Sequence, residues 1–492
     1  MIELINVKKG PSLEDYELHP SCSLMVSDLR KEASMFMPLL KGRKIWMINS
    51  TARGGGVAEM LPRQISLFRQ LGLKIDWLVM STEKKEFFIL TKRIHNLIHG
   101  VGKGYFSTID KNLYESVSKE NVQYLLKYIR PKDIVVIHDP QPMAMGAFLK
   151  QKIDVTLIWR CHIGNDEKSK KTDACWKFLK PYADFYDYGV FSFYDYIPEY
   201  FKKNSRIIYP AIDPYSHKNR ELHLHKITGI LSNAKIVRLK KDVLTAPFNE
   251  SVKRLQPDGS FGACYKPENI GVLFRPILLQ VSRWDKLKGF LPLMKAFIHL
   301  KAQGVIQEKI SKNQKRRLEL LRLVLAGPDP ISIQDDPEAL EVIKEISSFY
   351  CSQNSELQKD IAVLLLPMTS EKENALVVNA LQKSSSIVVQ NSLKEGFGLT
   401  VTEAMWKGIP VIGSNARGIR HQIRNHIDGI IIDNPEDTQL LASAISDLLA
   451  DPMQRKIYAR NTQNHVIQEF LIFGQLKKWL RVLSTESIRR NT

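Results

Sequence analysis

Apolar residues fall along this chain in two alternating patterns: short continuous runs, and longer stretches in which they recur every three or four positions. The runs at 44–48, 75–79, 134–137, 155–159, 188–191 and 207–210 are rich in β-branched and aromatic residues, most of them closing on polar ones, and predict buried strands. Between the first two, 57–71 carries helical spacing, and Pro62 within it predicts a kink or a ragged first turn. The charged and aromatic segment 86–104 predicts a helix with loops over a sheet edge. Strand and helix alternating in this way predict an α/β domain with a mainly parallel sheet, closing near Asp213 and carrying residues 1–40 as an extension.

From 214 to 275 the pattern weakens into a predicted linker and irregular lead-in. His223 and His225 alternate with leucines there, which suits one face of a strand or an exposed loop better than a metal site. A second α/β series follows, with strands predicted at 277–281, 323–326, 361–366, 387–389, 411–412 and 430–432 and helices at 290–300, 375–382 and 438–449. This gives a first domain over 1–213 and a second over 214–472. The helical spacing at 473–483 predicts a terminal segment, 473–492, that crosses back onto the first domain.

Composition narrows the chemistry. A chain of 492 residues with 44% hydrophobic content can build two large cores. The five cysteines, Cys22, Cys161, Cys175, Cys264 and Cys351, are scattered and form no CxxC pair, which argues against a disulfide framework and a thiolate zinc site and suits a reducing compartment. No apolar leader and no membrane-length apolar run is visible, so a soluble, cytoplasmic protein is expected. The net charge of +19 would suit nucleic acid, an anionic membrane or an anionic small ligand. Without a basic tail, zinc-finger spacing or a basic-aromatic motif, nucleic acid is not expected as a partner, nor is a membrane, and a homodimer is compatible with all of this.

The densest candidate chemistry lies in KEGFGLTVTEAMWKGIPVIGS, residues 394–414. It reads as a glycine-spaced loop entering a helix between two strands, and such loops sit at the carboxyl end of a parallel sheet, where open α/β folds bind ligands. Glu395 lies in the loop and Glu403 about one turn into the helix, while Gly396 and Gly398 let a ligand approach the backbone. The free N–H groups near Leu399 and Thr400 favour an anion at the helix start. In SRWDKLKG, Arg283 and Lys288 stand five apart just past a predicted strand and can converge on a pyrophosphate. In the first half, NSTARGGG places Gly55 and Gly56 at another strand-to-helix junction, neither a dinucleotide fingerprint nor a Walker loop.

These segments, together with EFFILTKRIHNLIHG from Glu86, HDPQP from His138, WRCHI from Trp159, AIDPYSHKN from Ala211 and NALQ from Asn379, resemble the retaining glycosyltransferases of family 4, and within them the trehalose synthase branch. The resemblance spans nearly the whole chain. It implies the GT-B fold, two Rossmann-like parallel-sheet domains facing across a cleft, and a retaining hexosyl transfer from UDP- or ADP-glucose to glucose. It also implies roles. Arg283 and Lys288 would hold the donor diphosphate, Glu403 the ribose hydroxyls, and Glu395 with Gly396, Phe397, Gly398, Leu399 and Thr400 the donor sugar and distal phosphate. His162 would lie under the sugar, contacting its 6-hydroxyl or its reacting face, with Gly55, Gly56, Asp139 and Gln141 toward phosphate and acceptor. No metal site and no required cofactor are expected, Mg2+ at most stimulating. A trehalose phosphorylase, a family 4 transferase with another acceptor, and a non-catalytic basic scaffold are the competing readings.

Overall fold

The computed structural model describes residues 2–52, 56–165, 167–239, 245–264, 270–306, 311–330 and 337–491. The chain divides into two units, one of residues 1–213 and 469–492 and the other of residues 214–468. In the first unit the apolar runs become β2 (Ile45–Asn49), β3 (Ile75–Val79), β4 (Ile134–His138), β5 (Thr156–Cys161) and β6 (Tyr188–Phe191), flanked by β1 (Glu3–Ile5) and β7 (Ser205–Ile207). They form one seven-stranded sheet in the order β1-β3-β2-β4-β5-β6-β7, parallel throughout except for β1. Every residue of β2, β4 and β5 is buried, which explains why these strands read as unbroken apolar runs. The helix Gly56–Gln70 continues past Pro62, whose ring nitrogen has no hydrogen to offer the turn before it.

The N-terminal segment is fastened to this unit by buried polar contacts. Tyr16 donates its hydroxyl to Asp213, and Arg63 donates to the Tyr16 oxygen at 2.7 Å and pairs with Asp213 at 3.3 Å. The helix Ser23–Leu40 packs along the C-terminal helix Ile472–Asn491, with Arg481 paired to Glu32 and the rings of Tyr16 and Phe473 meeting edge to face at 5.0 Å.

The second unit holds β8 (Lys253–Leu255), β9 (Phe261–Ala263), β10 (Ile277–Val281), β11 (Arg322–Pro328), β12 (Ile361–Leu366), β13 (Ile387–Gln390), β14 (Val411–Ser414) and β15 (Gly429–Ile432). Their order in one eight-stranded sheet is β15-β14-β13-β10-β11-β12-β8-β9. The six strands from β10 onward are parallel, and Leu279 pairs Val388 while Val388 pairs Val411. The predicted irregular lead-in contributes the antiparallel hairpin β8–β9 to the sheet edge, three-residue strands too short to print a pattern. It also contributes the helix Leu224–Asn233, so exposed His223 ends the loop before the helix and exposed His225 lies in its first turn, neither on a strand. Among the described residues no helix is long and apolar enough to cross a membrane.

Candidate active site

Strands β10 and β13 are parallel neighbours, so the loops leaving their carboxyl ends share one rim of the second sheet. A backbone hydrogen bond from Leu393 to Leu287, 2.7 Å, joins the two loops directly. On that rim Lys288 and Glu395 form an ion pair at 2.7 Å, with 12% and 13% of their side chains exposed. Glu395 also accepts from the Ser392 hydroxyl at 3.2 Å. A residue expected at the donor diphosphate and one expected at the donor sugar are thus in contact. Arg283 lies on the same loop with its side chain exposed.

The turn that presents Lys288 depends on Gly289. Its φ of +62° is a left-handed conformation, and a Cβ there would come within 2.1 Å of the Asn391 carbonyl oxygen. Beneath the loops lies a polar layer that sequence reasoning gave no role. Gln280, fully buried, donates to the Lys288 carbonyl at 2.7 Å and accepts from the Asn391 N–H at 3.2 Å. Gln390 donates to Ser282 at 2.8 Å and to Ser392 at 3.1 Å, and accepts from Thr400 at 3.2 Å. The signal for this layer was present: an uncharged amide at the end of a run of β-branched and leucine residues, in ILLQV and again in IVVQ.

Gly396 and Phe397 continue the loop, and Gly398, at φ +83°, precedes the eight-residue helix Leu399–Trp406. Gly418 approaches this loop so closely that a Cβ on it would meet the Phe397 Cα at 2.5 Å, and its N–H donates to the Glu395 carbonyl at 3.1 Å. Fully buried Gln422 clamps the same loop, donating to the carbonyls of Phe397, of Gly398 at 3.3 Å and of Gly418 at 2.7 Å, while Thr402 donates to its amide oxygen.

Glu403 is buried one turn into that helix, beside Lys407. The Lys407 ammonium nitrogen lies 3.1 Å from the Glu403 carbonyl and 3.3 Å from Asn219 Oδ1. Burial pushes Lys407 down to about 7, against the opposing pull of the Glu403 charge. Above that pH the unfolded lysine still binds a proton that the folded one has released, so this residue makes stability rise with pH up to the ordinary lysine range, about 10.4. Raising the pH from about 7.5 to 9.5 is therefore expected to raise the denaturant midpoint of the native chain relative to Lys407→Met. Equal shifts in the two proteins would contradict the burial argument.

In the first unit, β2, β4 and β5 lie side by side, and their carboxyl ends bring Asp139 and His162 together. The His162 N–H donates to Asp139 Oδ1 at 2.8 Å. Asp139 holds a left-handed φ of +62°, uncommon for a residue with a side chain, fixed by its N–H to Arg160 and by the Trp159 indole N–H on its carbonyl at 3.0 Å. Burial pushes Asp139 up to about 6, opposed by the His162 N–H and the Arg160 charge. The His162 Nε2 lies 3.1 Å from His138 Nδ1, and burial drives both imidazoles toward the neutral form, His138 to about 3. The Gln141 amide oxygen is buried with no hydrogen-bond partner among the described residues. Gly56 opens its helix with nothing near the place of a Cβ, and Gly55 lies outside the described residues. Among the described residues no group of three or more His, Cys, Asp or Glu is placed to hold a metal ion.

Comparison with known proteins places these two constellations in context. Residues 47–198 match the family described as trehalose synthase, N-terminal domain, and residues 272–465 match glycosyl transferases group 1. Over 451 residues the chain is 31% identical to a trehalose synthase of Pyrococcus horikoshii, covering 91% of each. Over 477 residues it is 31% identical to one of Rubrobacter xylanophilus, covering 96% of each. Among solved structures, a UDP-forming α,α-trehalose-phosphate synthase of Burkholderia vietnamiensis superposes with a TM-score of 0.64 at 13% identity, covering 91% of this chain and 99% of that one. The fold is the two-domain GT-B fold, as expected.

Proposed function

Because the chain belongs to the trehalose synthase family of glycosyltransferases, we propose that it transfers glucose from UDP- or ADP-glucose to free glucose, forming trehalose with retention at the anomeric carbon. The observation that carries this reading is the Lys288–Glu395 pair at the carboxyl rim of the second sheet, followed by a helix that starts at Leu399 without a side-chain cap.

As the bond from the anomeric carbon to the diphosphate breaks, negative charge grows on the leaving oxygen. Lys288, freed from Glu395 by the incoming phosphates, and the exposed Arg283 meet that charge, assisted by the helix N-terminus at Leu399 and Thr400. Glu395, Gly396, Phe397 and Gly398 then address the sugar and its distal phosphate, and Glu403 the ribose hydroxyls. The departing phosphate oxygen takes the acceptor hydroxyl proton while the acceptor oxygen bonds to the same face of the anomeric carbon. His162, Asp139 and Gln141 bind sugar hydroxyls, with Gly55 and Gly56 close to phosphate and acceptor. On this reading Mg2+ stimulates without being required, and the protein works in the cytoplasm.

A donor and acceptor screen read out by nucleotide release, with product anomericity by NMR, tests the proposal. Release of UDP or ADP only when glucose is added, with an α,α-linked product, is the expected result. Glucose 1-phosphate formed from trehalose and phosphate without any nucleotide would identify a phosphorylase instead, and no turnover with any donor would leave a non-catalytic scaffold.

A further inference from the structure

Three neighbouring strands of the first unit set side chains in one line: Met47 from β2, His138 ending β4, and His162 just past β5. Met47 Sδ lies 3.4 Å from His138 Nε2, and His138 Nδ1 lies 3.1 Å from His162 Nε2, with the two rings nearly parallel at 14°. A thioether accepts a hydrogen bond weakly and donates none. A neutral imidazole carries one proton, so a His138 proton on Nδ1 would set a bare Nε2 lone pair against the sulfur. The opposite choice pairs every group in the line. The charged neighbours, Arg160 and Asp139, do not change this. Arg160 disfavours a second positive charge nearby, and Asp139 Oδ1 is occupied by the His162 backbone N–H.

We propose that His138 is a positioning residue that holds His162 as a single tautomer, with the proton on Nε2 and the lone pair on Nδ1, so that His162 offers its ligand an acceptor. The ligand group that fits is a hydrogen-bond donor. A hydroxyl satisfies it, whereas a carboxylate or carbonyl oxygen would face lone pair against lone pair. This step rests on the glucosyl-transfer reading above, in which the family resemblance sets His162 against the sugar's 6-hydroxyl, and the line from Met47 to His162 then selects a hexose over its 6-deoxy and 6-carboxylate analogues.

The tautomer is measurable without turnover. In full-length protein labelled with ring-15N histidine, long-range proton–nitrogen correlation, with the His162 signals identified by their loss in His162→Gln, is expected to find Nε2 protonated and Nδ1 bare. A protonated Nδ1, or averaging between two forms, overturns the proposal. Selectivity is the second readout. The preference in kcat/KM for nucleotide-glucose over its 6-deoxy analogue, expected to be roughly tenfold, should collapse in His138→Leu and return in His138→Asn, whose carbonyl can replace Nδ1 as acceptor. Met47→Leu, which removes only the sulfur, should loosen the tautomer even where His138→Leu does not fold. A His138→Leu enzyme that keeps the full preference refutes the relay. A chain that transfers no glucose but shows the fixed tautomer refutes the functional reading alone.

Discussion

Lys288→Ala is expected to lower nucleotide release by roughly 100- to 1,000-fold, the range found when one preorganised donor to a developing oxyanion is removed. The burial of the ion pair makes the effect larger than a lost charge at a surface. Lys288 and Glu395 meet at 2.7 Å with only about an eighth of either side chain exposed, 12% and 13%. Removing Lys288 takes away the positive charge that faces the Glu395 carboxylate, which still accepts from the Ser392 hydroxyl at 3.2 Å. Lys288→Ala should therefore lose stability as well as rate. Adding Glu395→Gln to it should recover part of the stability and none of the rate. This split separates a residue that acts on substrate from one that only fills space. Turnover within about threefold of the native enzyme in either single variant would remove these residues from the active site, since no preorganised charge near the leaving group is that weak.

Why the pair was legible at all is instructive, because its members are 107 residues apart in sequence. Parallel strands buried on both faces announce themselves as apolar runs, and the residues that follow such runs must lie on the carboxyl rim. Thus Lys288 after β10 and Glu395 after β13 could be placed on one edge before their contact was known. What remained hidden depended on contacts that no local pattern encodes. The hairpin β8–β9 is held by pairing with β12 and not by its own residues, KRL and FGA. Gln280 and Gln390, given no role by the apolar runs they sit in or follow, prove to be the layer on which both loops rest. His138 was visible only as part of HDPQP, and its role comes from Met47, two strands earlier in sequence, through a sulfur contact that spacing cannot predict. His162, by contrast, follows closely on the predicted run 155–159, which the structure carries two residues further to Cys161, because the existence of a strand is easier to read from periodicity than its end.

Gln422→Leu is expected to loosen the donor loop itself. The side chain is fully buried, and leucine nearly matches its volume, so packing changes little. Hydrogen bonding changes a great deal, because the carbonyls of Phe397, Gly398 and Gly418 and the Thr402 hydroxyl all lose this partner together. A buried polar group left unpaired costs about 1–3 kcal/mol, and with some bonds replaced by water a net loss on the order of 3–5 kcal/mol in the second unit is expected. Gly418→Ala attacks the same loop from outside, since its Cβ would press on the Phe397 backbone at 2.5 Å. Both variants should speed hydrogen exchange over residues 395–400 and raise the KM for the donor more than for the acceptor, because the disturbed groups are those expected to bind sugar and phosphate. The two substitutions share no chemistry, one deleting hydrogen bonds and one adding a methyl group. Agreement between them would therefore trace the effect to the position of the loop, and unchanged exchange in both would show that neither contact holds it.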